Sequence, residues 1–104
     1  MTDSILVITT IDGKENAQRI ARELVEKRLA ACVQVFPVTS IYRWKGKVEE
    51  AEEWLCLCKT RREIFEDVEM AIKRMHTYEI PEIVALPVEA GSHDYLAWMD
   101  QEVR

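Results

Sequence analysis

The sequence predicts an α+β domain of the ferredoxin-like kind: a βαββαβ chain with a long β-hairpin and a C-terminal helix. Three observations carry this. Two strand-like arms, CVQVFPVTSIYRW and VEEAEEWLCLCKT, flank Lys45-Gly46; two amphipathic helical patterns each follow a strand; and two short, wholly apolar runs lie near the ends of the chain. Such an order gives a four-stranded antiparallel sheet with both crossover helices on one face. The other face, together with the hairpin and the last helix, is left to pack on neighbours, so the fold itself predicts a homo-oligomer with closed cyclic symmetry.

Ile5-Leu6-Val7-Ile8-Thr9-Thr10 is continuous, apolar and rich in β-branching, as a strand covered on both faces should be. Asp12 and Glu15 then form an Asp-x-x-Glu capping box. Ala17, Ile20, Ala21, Leu24 and Val25 recur at helical spacing, so the spacing predicts a helix to about Lys27 or Arg28. The hairpin arms that follow are each about 13 residues, or roughly 40 Å, longer than an ordinary strand. Pro37 removes a ladder donor and predicts a bulge or an edge position. The acidic run Glu49-Glu50-Ala51-Glu52-Glu53 is compatible with a solvated helix, but the alternation after it and the turn before it favour strand.

Thr60-Arg61-Arg62-Glu63 reads as a second capping box, with Phe65, Val68, Ile72 and Met75 marking one helical face that stops near Met75 or His76. Tyr78-Glu79-Ile80-Pro81-Glu82 is a loop and Ile83–Val88 a short apolar strand. A last helix begins near Ser92, with Tyr95, Leu96, Trp98, Met99 and Val103 on its apolar side.

A chain of 104 residues fits one domain, spanning 1–104, with no linker. Its net charge is −5 with acids and bases interspersed, which leaves no footprint for nucleic acid or an anionic membrane. Met1-Thr2-Asp3-Ser4 carries acid where a signal peptide carries base, and no run is long enough to span a bilayer, so a cytoplasmic protein is expected. Three cysteines without CxxC or zinc spacing agree with reduced, buried thiols.

No phosphate-cradling loop, nucleophile elbow or zinc-protease motif is present, so no catalytic residue is assigned. Polar and aromatic groups do collect at element ends: Tyr42 and Trp44 near the hairpin tip, Glu53 and Lys59 on the second arm, and His76, Tyr78 and Glu82 about the Pro81 loop. Each has a structural role open to it beside a ligand-binding one. His76 suits the C-terminal dipole of a helix, Glu53 and Lys59 a surface ion pair, and Tyr42 and Trp44 an interface. Among soft ligands, Cys32, Cys56, Cys58, His76 and His93 are available, but spacing does not group them.

Leu29-Ala30-Ala31-Cys32-Val33, Ser40-Ile41-Tyr42-Arg43-Trp44-Lys45-Gly46, Lys59-Thr60, His76-Thr77-Tyr78-Glu79-Ile80-Pro81-Glu82-Ile83 and Tyr95-Leu96-Ala97-Trp98 together closely resemble the divalent-cation tolerance protein CutA family. The resemblance spans nearly the whole chain. It implies a tight homotrimer in which the hairpin joins sheets between subunits, an architecture close to the PII-type signalling proteins. It also implies a role in tolerance of copper and other divalent metals, with copper held in some members by a Cys late in the first strand and two adjacent His after the second helix. The matching positions here are Thr9, Met75 and His76, which leaves His76, with Cys32 nearby in the sheet, as the metal candidates.

Two expectations of function follow. The first is a non-enzymatic homotrimer that binds copper or another divalent metal weakly or through a partial site, with no obligatory cofactor. The second is a PII-like sensor that takes a small anion or nucleotide in the cleft between subunits, using Tyr42, Trp44, Glu53, Lys59, His76, Tyr78 and Glu82, with Arg43 adding charge. An enzyme using His76 beside Glu53 or Glu82 ranks last.

Overall fold

Alternation along each strand decides the architecture, because residues paired directly across an antiparallel ladder share a face. The computed structural model describes residues 2–104; Met1, where the acidic N-terminal segment begins, lies outside them. Its elements are β1 (Ser4–Ile11), α1 (Lys14–Glu26), β2 (Cys32–Trp44), β3 (Lys47–Arg61), a 3-10 turn (Arg62–Ile64), α2 (Phe65–Met75), β4 (Val84–Pro87) and α3 (His93–Glu102). The strands pair in the order β2-β3-β1-β4, antiparallel throughout, as the ferredoxin-like pattern requires. No helix among the described residues is long and apolar enough to cross a membrane.

One face is closed. Val7 stands between Cys58 and Ala85, and Thr9 beside Cys56. Val7, Thr9, Cys56 and Cys58, with Ile5, Ile11 and Thr60, are buried against Ala17, Ile20 and Leu24 of α1 and Val68, Ala71 and Ile72 of α2, while Ala85 on the short β4 stays exposed. Each such aliphatic side chain contributes about 1.5–3 kcal/mol on full burial. The opposite face carries Leu6 and Ile8 on β1, Leu55 and Leu57 on β3, Phe36 on β2, and Val84 and Leu86 on β4. Leu6, Ile8, Leu55 and Leu57 are half-buried, while Phe36, Val84 and Leu86 are exposed.

The hairpin forms as predicted. Lys45 and Gly46, at φ 50° and 82°, make the left-handed two-residue turn that matches strand twist. The ladder runs from Cys32 opposite Lys59 to Trp44 opposite Lys47 without an extra residue, so there is no bulge at Pro37; β2 is instead the edge of the sheet, where proline is tolerated. The acidic run is strand. Together the arms stretch the molecule to 44 Å in its longest dimension and leave Ile41, Tyr42, Trp44 and Val48 exposed.

Neither predicted capping box forms. Gly13, at φ 82°, takes the cap position of α1, and Asp12 turns outward: its carboxylate accepts from the Thr77 hydroxyl at 2.9 Å and its carbonyl from Asn16 Nδ2 at 2.8 Å. Thr60 stays in β3, where its hydroxyl donates to the Leu29 carbonyl at 2.6 Å. In each case a distant partner outcompetes the local one.

The last helix is less covered than its sequence predicts. Met99 and Val103 are buried against Ala31, but Tyr95 and Trp98 are exposed. Its final carbonyls are satisfied by two arginines: Arg28 donates to Gln101 at 2.7 Å and Glu102 at 3.0 Å, and Arg61 to Asp100 at 3.0 Å and Val103 at 3.2 Å.

Candidate functional site

β1 runs out at Ile11, opposite Trp54, so from Glu53 towards the tip β3 has a neighbour on one side only. The loop after α2 fills the vacated side. Tyr78 reaches Glu53, and its phenol donates to Oε2 at 2.6 Å. His76 fixes the loop from below. Its Nε2 lies 2.7 Å from the Thr10 carbonyl and its Nδ1 accepts the Tyr78 amide at 3.1 Å. These partners assign the Nε2–H tautomer and occupy both ring nitrogens with main chain. The His76 and Tyr78 rings meet edge to face at 4.8 Å, and Arg19 caps the Met75 carbonyl at 2.8 Å.

Glu53 is the unusual member, with only 5% of its surface exposed. Its Oε1 makes no hydrogen bond, and no ion pair reaches it among the described residues. Burial, then the hydrogen bond to Glu53, then the negative charges of Glu53 and Asp12 hold the Tyr78 phenol firmly protonated.

Of the predicted site residues, Glu53, His76 and Tyr78 converge, whereas Tyr42, paired with Glu49, stands four residues towards the tip, roughly 13 Å along the strand. Lys59 does not join them: it lies six residues along β3, roughly 20 Å away at strand rise, and donates to the Tyr95 hydroxyl at 3.0 Å. Trp44 remains at the tip beside Lys45, and Glu82 is exposed without a hydrogen bond or ion pair among the described residues.

Cys32 and His76 do not share a site either. Cys32 pairs with Lys59, level with Leu6, whereas His76 binds at Thr10, four residues on and roughly 13 Å along the strand. Among the described residues no three His, Cys, Asp or Glu side chains gather as a metal cage. Thr9 faces the helices, fully buried, with its hydroxyl unpartnered. The remaining thiols are core: burial pushes Cys56 up to about 11 and Cys58 further.

Asp12, Thr77 and the Thr10 carbonyl were missed from the sequence. The positions of Thr77, between His76 and Tyr78, and of Asp12, before a glycine, were the available signals.

The fold is that of a ferredoxin-like domain with one bare sheet face and a projecting hairpin. Residues 5–102 match the CutA1 divalent ion tolerance protein family. The divalent-cation tolerance protein CutA of Archaeoglobus fulgidus is 44% identical over 93% of this chain and 95% of its own, and that of Thermus thermophilus 47% over 90% and 92%. The solved structure of the Thermus thermophilus protein superposes with a TM-score of 0.94, covering 97% of this chain and 99% of that one at 44% identity. That of the periplasmic divalent cation tolerance protein CutA from Archaeoglobus fulgidus gives 0.95 at 42% identity, with the same coverage. The chain belongs to the CutA1 divalent ion tolerance family.

Proposed function

We propose that this chain is a non-enzymatic, homotrimeric, cytoplasmic module of divalent metal tolerance that works through its assembled surface and not through a resident metal. The observation that carries the reading is the bare apolar face: Leu6, Ile8, Leu55, Leu57, Phe36, Val84 and Leu86 form a continuous sheet surface beside an uncovered hairpin. Self-association removes this apolar surface from water. Three unpaired cysteines fit a reducing compartment.

Copper bound at His76 has to displace either the Thr10 carbonyl or the Tyr78 amide from the ring, so affinity there is weak. Light scattering is expected to give a trimer, lost in Leu57→Glu. Calorimetric titration of the reduced protein with Cu(I) and Cu(II) is expected to show no tight stoichiometric site; tight binding abolished by His76→Ala reinstates a metal centre.

A second reading, a PII-like small-molecule sensor, is favoured by one observation: a nine-tenths buried carboxylate with one oxygen unused at the hairpin root. A metabolite panel that raises the melting temperature and quenches tryptophan emission supports it.

A further inference from the structure

We infer that α3 is a strap that docks over Lys59 at the border of the bare sheet face and lifts from it as a unit while the sheet and its two crossover helices stay folded. The device is independent of what the module binds. No residue of α3 belongs to the main core. Met99 and, just past the end of the helix, Val103 are buried in a small cluster of their own with Ala31, and Ile64 is the one side chain packed against both clusters. An element held by so few buried apolar groups opens at a lower free energy than the whole fold.

Polar ties hold the helix instead. Arg28 follows the end of α1 at φ 59°, a left-handed conformation that glycine ordinarily takes there. From that strained position its guanidinium clasps the Gln101 and Glu102 carbonyls, and its own carbonyl accepts the Arg104 amide at 2.9 Å. Arg61 clasps the same end from β3, through the Asp100, Val103 and Arg104 carbonyls. In the first turn of α3, the Tyr95 hydroxyl accepts from the Lys59 ammonium at 3.0 Å, and the ring centre lies 5.1 Å from it. Gly91, two residues before α3, lets the chain turn in closely: a Cβ there would stand 3.2 Å from Leu96 Cγ. The parts are a hinge without a side chain, one clasped end, and one ring resting on an amine.

Lys59 shares its sheet face with Leu6, Leu55 and Leu57, so lifting α3 frees an amine at the rim of the bare face and exposes Ala31 and Ile64 beside it. Two readouts on the intact protein test this: hydrogen–deuterium exchange, and acetylation by an N-hydroxysuccinimide ester with the exposed Lys45 as reference. In the wild type, α3 amides are expected to be at least tenfold less protected than those of β1, with Lys59 acetylated at least tenfold more slowly than Lys45. Arg28→Gly relieves the backbone and removes the clasp. It is expected to lower α3 protection at least tenfold further, leave β1 unchanged and speed Lys59 acetylation in proportion. Tyr95→Phe, which keeps both clasps, is expected to speed Lys59 acetylation and to lower α3 protection less than Arg28→Gly does.

The wild-type comparison decides without any variant: equal protection in α3 and β1 makes the helix part of the global unit, and acetylation of Lys59 at the rate of Lys45 means that nothing covers the amine. Either result overturns the strap. So does Arg28→Gly if it lowers protection in α3 and β1 together, or loosens α3 without changing the labelling of Lys59.

Discussion

The two faces of one sheet are equally apolar in sequence and opposite in fate. On the helix side, Val7, Cys56 and Cys58 are fully buried; on the other, Leu6, Leu57 and Leu86 alternate with them and lie open or half-open. An apolar strand run thus specifies that both faces are to be covered, while the chain carries helices enough for one. The difference between the faces is therefore between one that the chain covers itself and one that it leaves uncovered.

Substitutions on the two faces should fail differently. The largest effect belongs to the closed face: Ile72→Ala leaves a cavity in the α2 packing and is expected to cost about 2–5 kcal/mol in urea unfolding, independent of protein concentration. Leu57→Glu on the open face is expected to spare the subunit fold but to weaken association at least tenfold, about 1.4 kcal/mol or more, and to abolish the dependence of melting temperature on concentration. Equal, concentration-independent losses in both would erase the distinction.

At the root of the hairpin, Tyr78→Phe removes the only side-chain hydrogen bond to Glu53 among the described residues and should cost about 1–3 kcal/mol. The buried thiols and the Tyr78 phenol also carry an alkaline signature. Thiols at Cys56 and Cys58 and the Tyr78 phenol ionise less readily folded than unfolded, so their contribution is whole below the ordinary thiol value of 9.0 and declines as pH rises beyond it. The urea midpoint should hold to about pH 9 and then fall, and Cys56→Ala should flatten that fall. The smallest effect is at Thr9, whose buried hydroxyl has no partner: Thr9→Val is expected to be neutral or to stabilise by up to about 1 kcal/mol.

The fold was legible because its signals are local or periodic. Lys45-Gly46 specifies a turn in two residues, and the 13 residues of β2 were read end to end from β-branching and aromatics. The capping boxes were misread for a physical reason: Asp12 and Thr60 have polar partners at Thr77 and Leu29, which no local window contains. The site was legible in part for the same reason. His76 and Tyr78 are near neighbours in sequence, but whether Glu53 or Lys59 meets them depends on where β1 ends, and Ile11 is its last residue. A shift of a few residues in that ending decides whether Glu53 or Lys59 is the group that Tyr78 meets.

The unbroken register of the hairpin makes it a ruler graduated in pairs. With 13 ladder pairs from Cys32 to Trp44 and no bulge, its reach is set by residue count alone. Inserting two residues in each arm would lengthen it by about 7 Å and keep Tyr42 and Trp44 on the same side as Glu53. Inserting one in each arm would lengthen it by half as much and roll both aromatics to the reverse side. The span between whatever the tip touches and the carboxylate at the root can therefore change only in even steps, and a lineage adjusting that span has to do so two residues at a time.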